Sequence, residues 1–271
     1  MKKLLLALFT TSLFATPVLA HGDEHKEEHH KEDKLIVFKE GTMNLISAST
    51  FSPDSLYIMY AHNFYQSTFP RSSNPVFSFS YTPIKNLQID ALTALRNNPL
   101  EYEIGAKYQL LNQVEGSPVS LSARAAFNNR GNIGGGDLSI SRIFFDDILQ
   151  IGANYSIQSD ASVDGYKGLF QAAGANAILR VWKHWYLFGD AMVPFNTELL
   201  NKNGFTWSTG IKKKIPHTPH TLTIFAGNQN EYTMSGRTIS TSSGKINEVL
   251  KVGFNFSIDI EELSKMPQKL F

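Results

Sequence analysis

The chain has no cysteine. That excludes a disulfide framework and any thiolate-ligated metal centre. It has no run of about eighteen consecutive apolar residues, so nothing in it reads as a membrane-spanning helix. Its charge has almost no sign, with 25 Lys and Arg against 24 Asp and Glu. A nucleic-acid partner calls for a basic surface, and composition gives no reason to propose one. What is present is a start, a polar tract and a long series of alternating segments.

The start carries Lys2 and Lys3, an apolar run from Leu4 to Phe14, and the small-residue site Val18-Leu19-Ala20. This is the layout of a cleaved secretory signal peptide over residues 1–20, with His21 as the new N-terminus. Residues 21–34 then hold His21, His25, His29 and His30 among acids and lysines, with no apolar residue. Such a tract buries too little to offset the entropy of ordering, so a solvated periplasmic tail is expected. Imidazoles are common metal ligands, and His21, His25 and His29 share a face if a helix forms. Weak binding of Zn, Cu or Ni is the chemistry this tract suggests. Residues 35–53 link the tail to the alternating segments. Leu45-Ile46-Ser47-Ala48 suits either a brief strand or a plug.

From residue 54 to 258 the pattern changes. The clearest segment is the last, Glu248–Ile258. Val252, Phe254, Phe256 and Ile258 alternate there with Gly253, Asn255 and Ser257. Successive side chains of a strand face opposite ways, so one face is apolar and the other small and polar. Eleven earlier segments repeat the theme: Ser55–Phe64, Val76–Tyr81, Leu87–Leu95, Leu100–Leu110, Val119–Phe127, Asp137–Phe145, Leu149–Ile157, Leu169–Val181, Trp185–Val193, Phe205–Ile211 and Leu222–Ala226. Two positions break the pattern. Arg142 falls on the apolar face, which predicts a bulge or a change of register. Gln171 falls on that face too. The connectors alternate short and long, apart from the short Arg96–Pro99. Short periplasmic turns and longer extracellular loops, with apolar-out and polar-in strands, are the signature of an all-β transmembrane antiparallel up-and-down β-barrel of about twelve strands. A soluble sandwich would have to fit Phe, Tyr and Trp from nearly every strand into one core.

The signal peptide, the alternating strands and the terminal Lys251-Val252-Gly253-Phe254-Asn255-Phe256-Ser257-Ile258 resemble Gram-negative outer-membrane barrels. The whole also resembles an uncharacterised bacterial barrel family, a domain of unknown function. The resemblance implies a place in the outer membrane and carries no site residue over. The expected partners are outer-membrane lipid and, during insertion, barrel assembly machinery. Residues 259–271 come after the last strand as a C-terminal periplasmic tail, and their deletion is expected to leave assembly intact.

The inward positions carry Asp90, Glu101, Glu103, Asp137 and Asp190 against Lys107, Arg124, Arg180, Lys212 and Lys251. Balanced charge predicts internal pairing, Arg124 with Glu103 among it, and a lumen with little charge selectivity. Small inner side chains predict a narrow channel or one closed by a plug. No nucleophile stands at a justified spacing from a base and an orienting group, so no catalytic residue is assigned and the chain is not read as an enzyme. His62 is read as an interfacial residue near the extracellular rim. The function expected is a narrow porin-like channel for small hydrophilic solutes. A closed barrel with a metal-binding tail and a structural or docking barrel are the alternatives.

Overall fold

The computed structural model describes residues 37–65, 73–95, 100–161, 166–195, 204–229, 232–238 and 250–265. Among these, twelve strands run in chain order: β1 (Ser55–Tyr65), β2 (Ser73–Ile84), β3 (Leu87–Ala94), β4 (Glu101–Leu111), β5 (Ser120–Asn128), β6 (Ile133–Phe144), β7 (Leu149–Ala161), β8 (Tyr166–Trp182), β9 (Trp185–Pro194), β10 (Thr206–Lys214), β11 (His220–Gly227) and β12 (Lys251–Ile260). Each pairs antiparallel with its sequence neighbours, and β12 closes on β1 to complete the barrel. Closure removes the two open edges that an extended sheet would leave.

The alternation read from the sequence sets which face each side chain takes. On β4, Glu101, Glu103, Gly105, Lys107 and Gln109 are buried while Tyr102, Ile104, Ala106, Tyr108 and Leu110 are exposed. The same reversal runs round the sheet. Phe79, Ile89, Phe127, Ile140, Ile151 and Ile224 are exposed, whereas Lys107, Lys212 and Lys251 are at most 2% exposed. In water such an arrangement would leave each outward Leu, Ile or Phe about 1.5–3 kcal/mol short of what burial supplies. In hydrocarbon it is the favourable one, because a closed barrel satisfies its own backbone and turns its apolar face to lipid.

The seam pairs Leu56 with Ile260 and continues to Tyr65 opposite Lys251. This moves the end of the barrel. Asp259 and Ile260 belong to β12, opposite Tyr57 and Leu56, so the C-terminal tail starts at Glu261 rather than Asp259. Alternation continues past Ile258, with Asp259 inward and 3% exposed. Deleting 259–271 would therefore cut two paired residues from the seam. Beyond it the chain turns back, where the Leu263 amide donates to Asp54 O at 2.8 Å and the Ser264 hydroxyl to Asp54 Oδ2 at 2.5 Å.

The expected break at Arg142 does not occur. The β6–β7 register runs unbroken through Arg142 opposite Ile151 to Phe144 opposite Leu149. Arg142 stays on the outer face near the short-turn rim, with its guanidinium 5.1 Å from the centre of the Phe144 ring. A long cationic side chain close to a membrane rim reaches the interface without bending its strand. Gln171 also remains outward, and its side-chain oxygen accepts the Tyr155 hydroxyl at 2.6 Å.

Both rims follow the chain order. The strand ends at Ile84/Leu87, Phe144/Leu149 and Trp182/Trp185 are joined by two to four residues. The β6–β7 turn holds Phe145, Asp146 and Asp147 at φ 57, 50 and 71. Asp takes the left-handed region readily, whereas for Phe145 it is a strained conformation.

Candidate functional site

The lumen is occupied. Residues 37–53, here called the plug, enter at the short-turn rim, rise to the middle of the barrel and return to that rim at Asp54. The plug closes on itself: the Thr42 amide donates to Leu45 O at 3.2 Å and the Ser47 hydroxyl to Phe38 O at 3.0 Å. Gly41, at φ +72, makes the inner bend, where a Cβ would lie 2.8 Å from Leu45 O.

Wall side chains from eight strands hold it, Asn176 on β8 among them with Nδ2 3.4 Å from the Thr42 hydroxyl. Asp190 accepts the Asn44 amide at 3.1 Å and its Nδ2 at 2.6 Å, while Ser208 donates to the same carboxylate at 2.7 Å. Lys107 donates to Ser49 O at 2.7 Å. Lys212 donates to Gly41 O at 2.7 Å and pairs with Glu40 at 3.2 Å; Ser257 donates to the other Glu40 oxygen at 2.7 Å. Asn154 donates to Ile46 O at 3.0 Å. Gln109 accepts the Thr50 amide at 3.0 Å, and Gln88 the Phe51 amide at 3.4 Å. Apolar contacts complete the seat. Phe38 meets Tyr186 edge-on at 5.7 Å, and Phe51 stacks on Tyr57 at 4.4 Å.

A second segment enters from the long-loop rim. Residues 232–238, here the inner loop, lie between β11 and β12 and end in the short helix Met234–Thr238. The Met234 amide donates to Glu103 Oε2 at 2.6 Å, Arg237 lies 3.4 Å from Asp137, and the Thr206 hydroxyl donates to Arg237 O at 2.8 Å. Between plug, inner loop and wall a cavity of about 140 Å³ remains, edged by Asp90, Lys107, Arg124 and Lys212. A second cavity of about 200 Å³ lies at the short-turn mouth, between Phe38, Phe51, Lys85 and Val114.

The charge cluster sits on the β3–β6 wall. Arg124 Nη2 is 2.9 Å from Glu103, Nε 3.2 Å from Asp90 and Nη1 3.5 Å from Asp137. Pairing straight across the short β4–β5 turn would set Arg124 near position 104; instead Arg124 stands opposite Lys107, three residues on, in a register that opens with Leu111 opposite Leu121. The guanidinium then runs along β4 over Gly105, where a Cβ would meet Nη2 at 2.8 Å. The glycine is what lets Arg124 pass Lys107 and reach Glu103.

Of the ten charged positions read from the sequence, Asp90, Glu103, Lys107, Arg124 and Asp137 thus stand together, and Asp190 and Lys212 seat the plug. Glu101 stands apart from this cluster, 2.9 Å from Asn128 Nδ2 and 3.3 Å from Arg130. Lys251 donates to Gln229 O. Arg180 donates to Asp146 O at 3.2 Å, at the short-turn rim. Sequence reasoning missed Glu40, Asn44, Tyr232 and Arg237, which lie on connectors where no alternation marks them. His62 lies on the outer face beside Phe64 (4.3 Å) and Phe254 (6.0 Å). His21, His25, His29 and His30 lie outside the described residues, and among the described ones no group of three or more acidic, His or Cys side chains forms a metal site.

A closed twelve-strand barrel, apolar outside and charged within, is a transmembrane barrel of the bacterial outer membrane. Solved porins share the architecture. A KdgM porin superposes with a TM-score of 0.51 at 12% identity, over 74% of this chain and 98% of that one. A KdgM porin in complex with disordered oligogalacturonate superposes with a TM-score of 0.52 at 11% identity, over 76% and 98%. No family model matches the chain. No curated protein matches its sequence. The likeness is therefore one of fold.

Proposed function

We propose that this protein is a gated outer-membrane channel for small hydrophilic solutes, shut in the conformation described by the plug and the inner loop. The observation that carries the reading is the way the plug is held. Its bonds to Asp190, Lys107, Lys212, Asn154 and Gln109 are polar, and water or a polar solute can replace each of them. Release exposes Phe38, Met43, Leu45 and Phe51, at about 1.5–3 kcal/mol each. It also returns about 1–2 kcal/mol of backbone entropy for each residue freed. Exchangeable polar bonds make the plug a displaceable element, with Val37, Phe38 and Met43 packed in the buried apolar cluster of the lumen. The paired charges of the wall support passage with little preference for either sign. The reading is non-enzymatic: among the described residues His62 faces lipid, and Glu103, Asp137 and Asp190 are engaged by arginine, serine and amide donors.

The test is single-channel conductance in planar bilayers. The full mature chain is expected to show long closures with brief openings. A chain lacking residues 21–52, whose β1 is intact, is expected to show steady conductance with weak ion selectivity. A silent plugless barrel that is nonetheless folded would overturn the channel reading.

A further inference from the structure

Plug and inner loop enter from opposite rims, yet one wall residue binds both. Asn255 is 4% exposed on the inner face of β12. Its Nδ2 donates to Met43 Sδ of the plug at 3.2 Å. Its Oδ1 accepts the Tyr232 hydroxyl of the inner loop at 2.8 Å. That hydroxyl lies 4.0 Å from Met43 Sδ and 3.1 Å from the Asn63 amide on β1. A hydroxyl has one hydrogen, so turning the Asn63 amide to donate its Nδ2 gives the Tyr232 hydroxyl one donated and one accepted bond. The Tyr232 ring meets Phe225 edge-on at 6.3 Å, so its position does not depend on the hydroxyl alone. All of these side chains are buried.

We infer that the plug and the inner loop form one latch, joined at Asn255, Tyr232 and Met43, so that loosening either segment loosens the other. Asn255 keeps its amide in place only while both partners are seated. When Tyr232 withdraws, the amide loses its acceptor bond and is free to turn away from the Met43 sulfur, itself a weak acceptor. The plug then keeps its wall bonds but loses its tie at the tip. A solute or partner that draws the inner loop outward therefore primes the plug on the far side. The inference rests on the plug being displaceable, and thiol labelling reports it without any conductance.

The absence of native cysteine makes the measurement clean. Ala48→Cys places a reporter in the plug and Thr238→Cys one in the inner loop, both at sites 1% exposed. Each is labelled with a membrane-impermeant maleimide in the full mature protein, with folding checked by heat-modifiable gel migration. Tyr232→Phe, which keeps the ring, is expected to raise labelling about threefold to tenfold at both reporters, the size of one net hydrogen bond. Met43→Leu, which keeps the volume, is expected to raise both in turn. Two independent gates would give a rise only at the reporter on the altered segment, and that result overturns the latch. No rise at either reporter with either variant overturns it equally. Coupled labelling in a protein that never conducts would leave the latch standing and remove the channel.

Discussion

Arg124→Ala is expected to destabilise the barrel by about 3–5 kcal/mol, the usual cost of removing one partner from a buried ion pair. The cause is charge. Arg124 is the shared cation for Glu103, Asp90 and Asp137, at 2.9, 3.2 and 3.5 Å. Without it Asp90 keeps Gln88 as a donor at 2.6 Å, Glu103 keeps the Met234 amide and Asp137 keeps Arg237. Three carboxylates would then face one another with the Arg237 guanidinium and the Lys107 ammonium as the remaining cations. Arg124→Lys should fall between, because an ammonium cannot address three directions with one rigid fork. Denaturant unfolding in micelles measures the loss. An Arg124→Ala barrel as stable as the native one at neutral pH would show that the cluster is already screened by water.

Phe256→Asp is expected to abolish assembly. Phe256 faces outward on β12, opposite Tyr60 on β1 and Leu222 on β11, with its ring 5.2 Å from that of His220. The substitution forfeits the burial of a phenylalanine in lipid and puts a carboxylate in its place, together roughly 3–5 kcal/mol. That is a large share of a typical folding stability, and it falls on the strand that closes the seam. Asn255→Asp is the matching control. It adds the same charge one residue away, on the face turned to the polar lumen, and should assemble even though it alters the latch. Heat-modifiable migration of membrane fractions reads both variants. Equal assembly of the two would mean that the alternation of β12 does not decide which face meets lipid.

That alternation made the barrel legible. A period of two, repeated over segments joined by short and long connectors, marks the strands and their faces. The strand ends fell within a few residues of those observed. Of the ten charged positions taken as inward, eight are buried and Asp90 and Arg180 are partly exposed. A plug around Leu45–Ala48 was one of the readings, but its seat and the inner loop were not legible, for a physical reason. Plug and inner loop are irregular connectors, and their seats are set by single hydrogen bonds across long separations, such as Asn44 to Asp190. No period announces such a bond. The small inner side chains were read as leaving a narrow channel or one closed by a plug. On β12 they make room: Ser257 accommodates Glu40, and Asn255 takes Met43 and Tyr232. The Arg124–Glu103 pair was anticipated from a register three residues away from the actual one, and Gly105 allows the contact from Arg124's place opposite Lys107.

For solute to pass, the plug must leave its seat. The most direct measurement locks it there. The amide and the side chain of Asn44 both reach the Asp190 carboxylate, at 3.1 and 2.6 Å, so cysteines at the two positions face each other across the seat. The double variant Asn44→Cys, Asp190→Cys is recorded in a planar bilayer while oxidised and again after a reductant is added. A displaceable plug predicts a silent channel when oxidised and openings that appear on reduction. Equal conductance in the two states would contradict it.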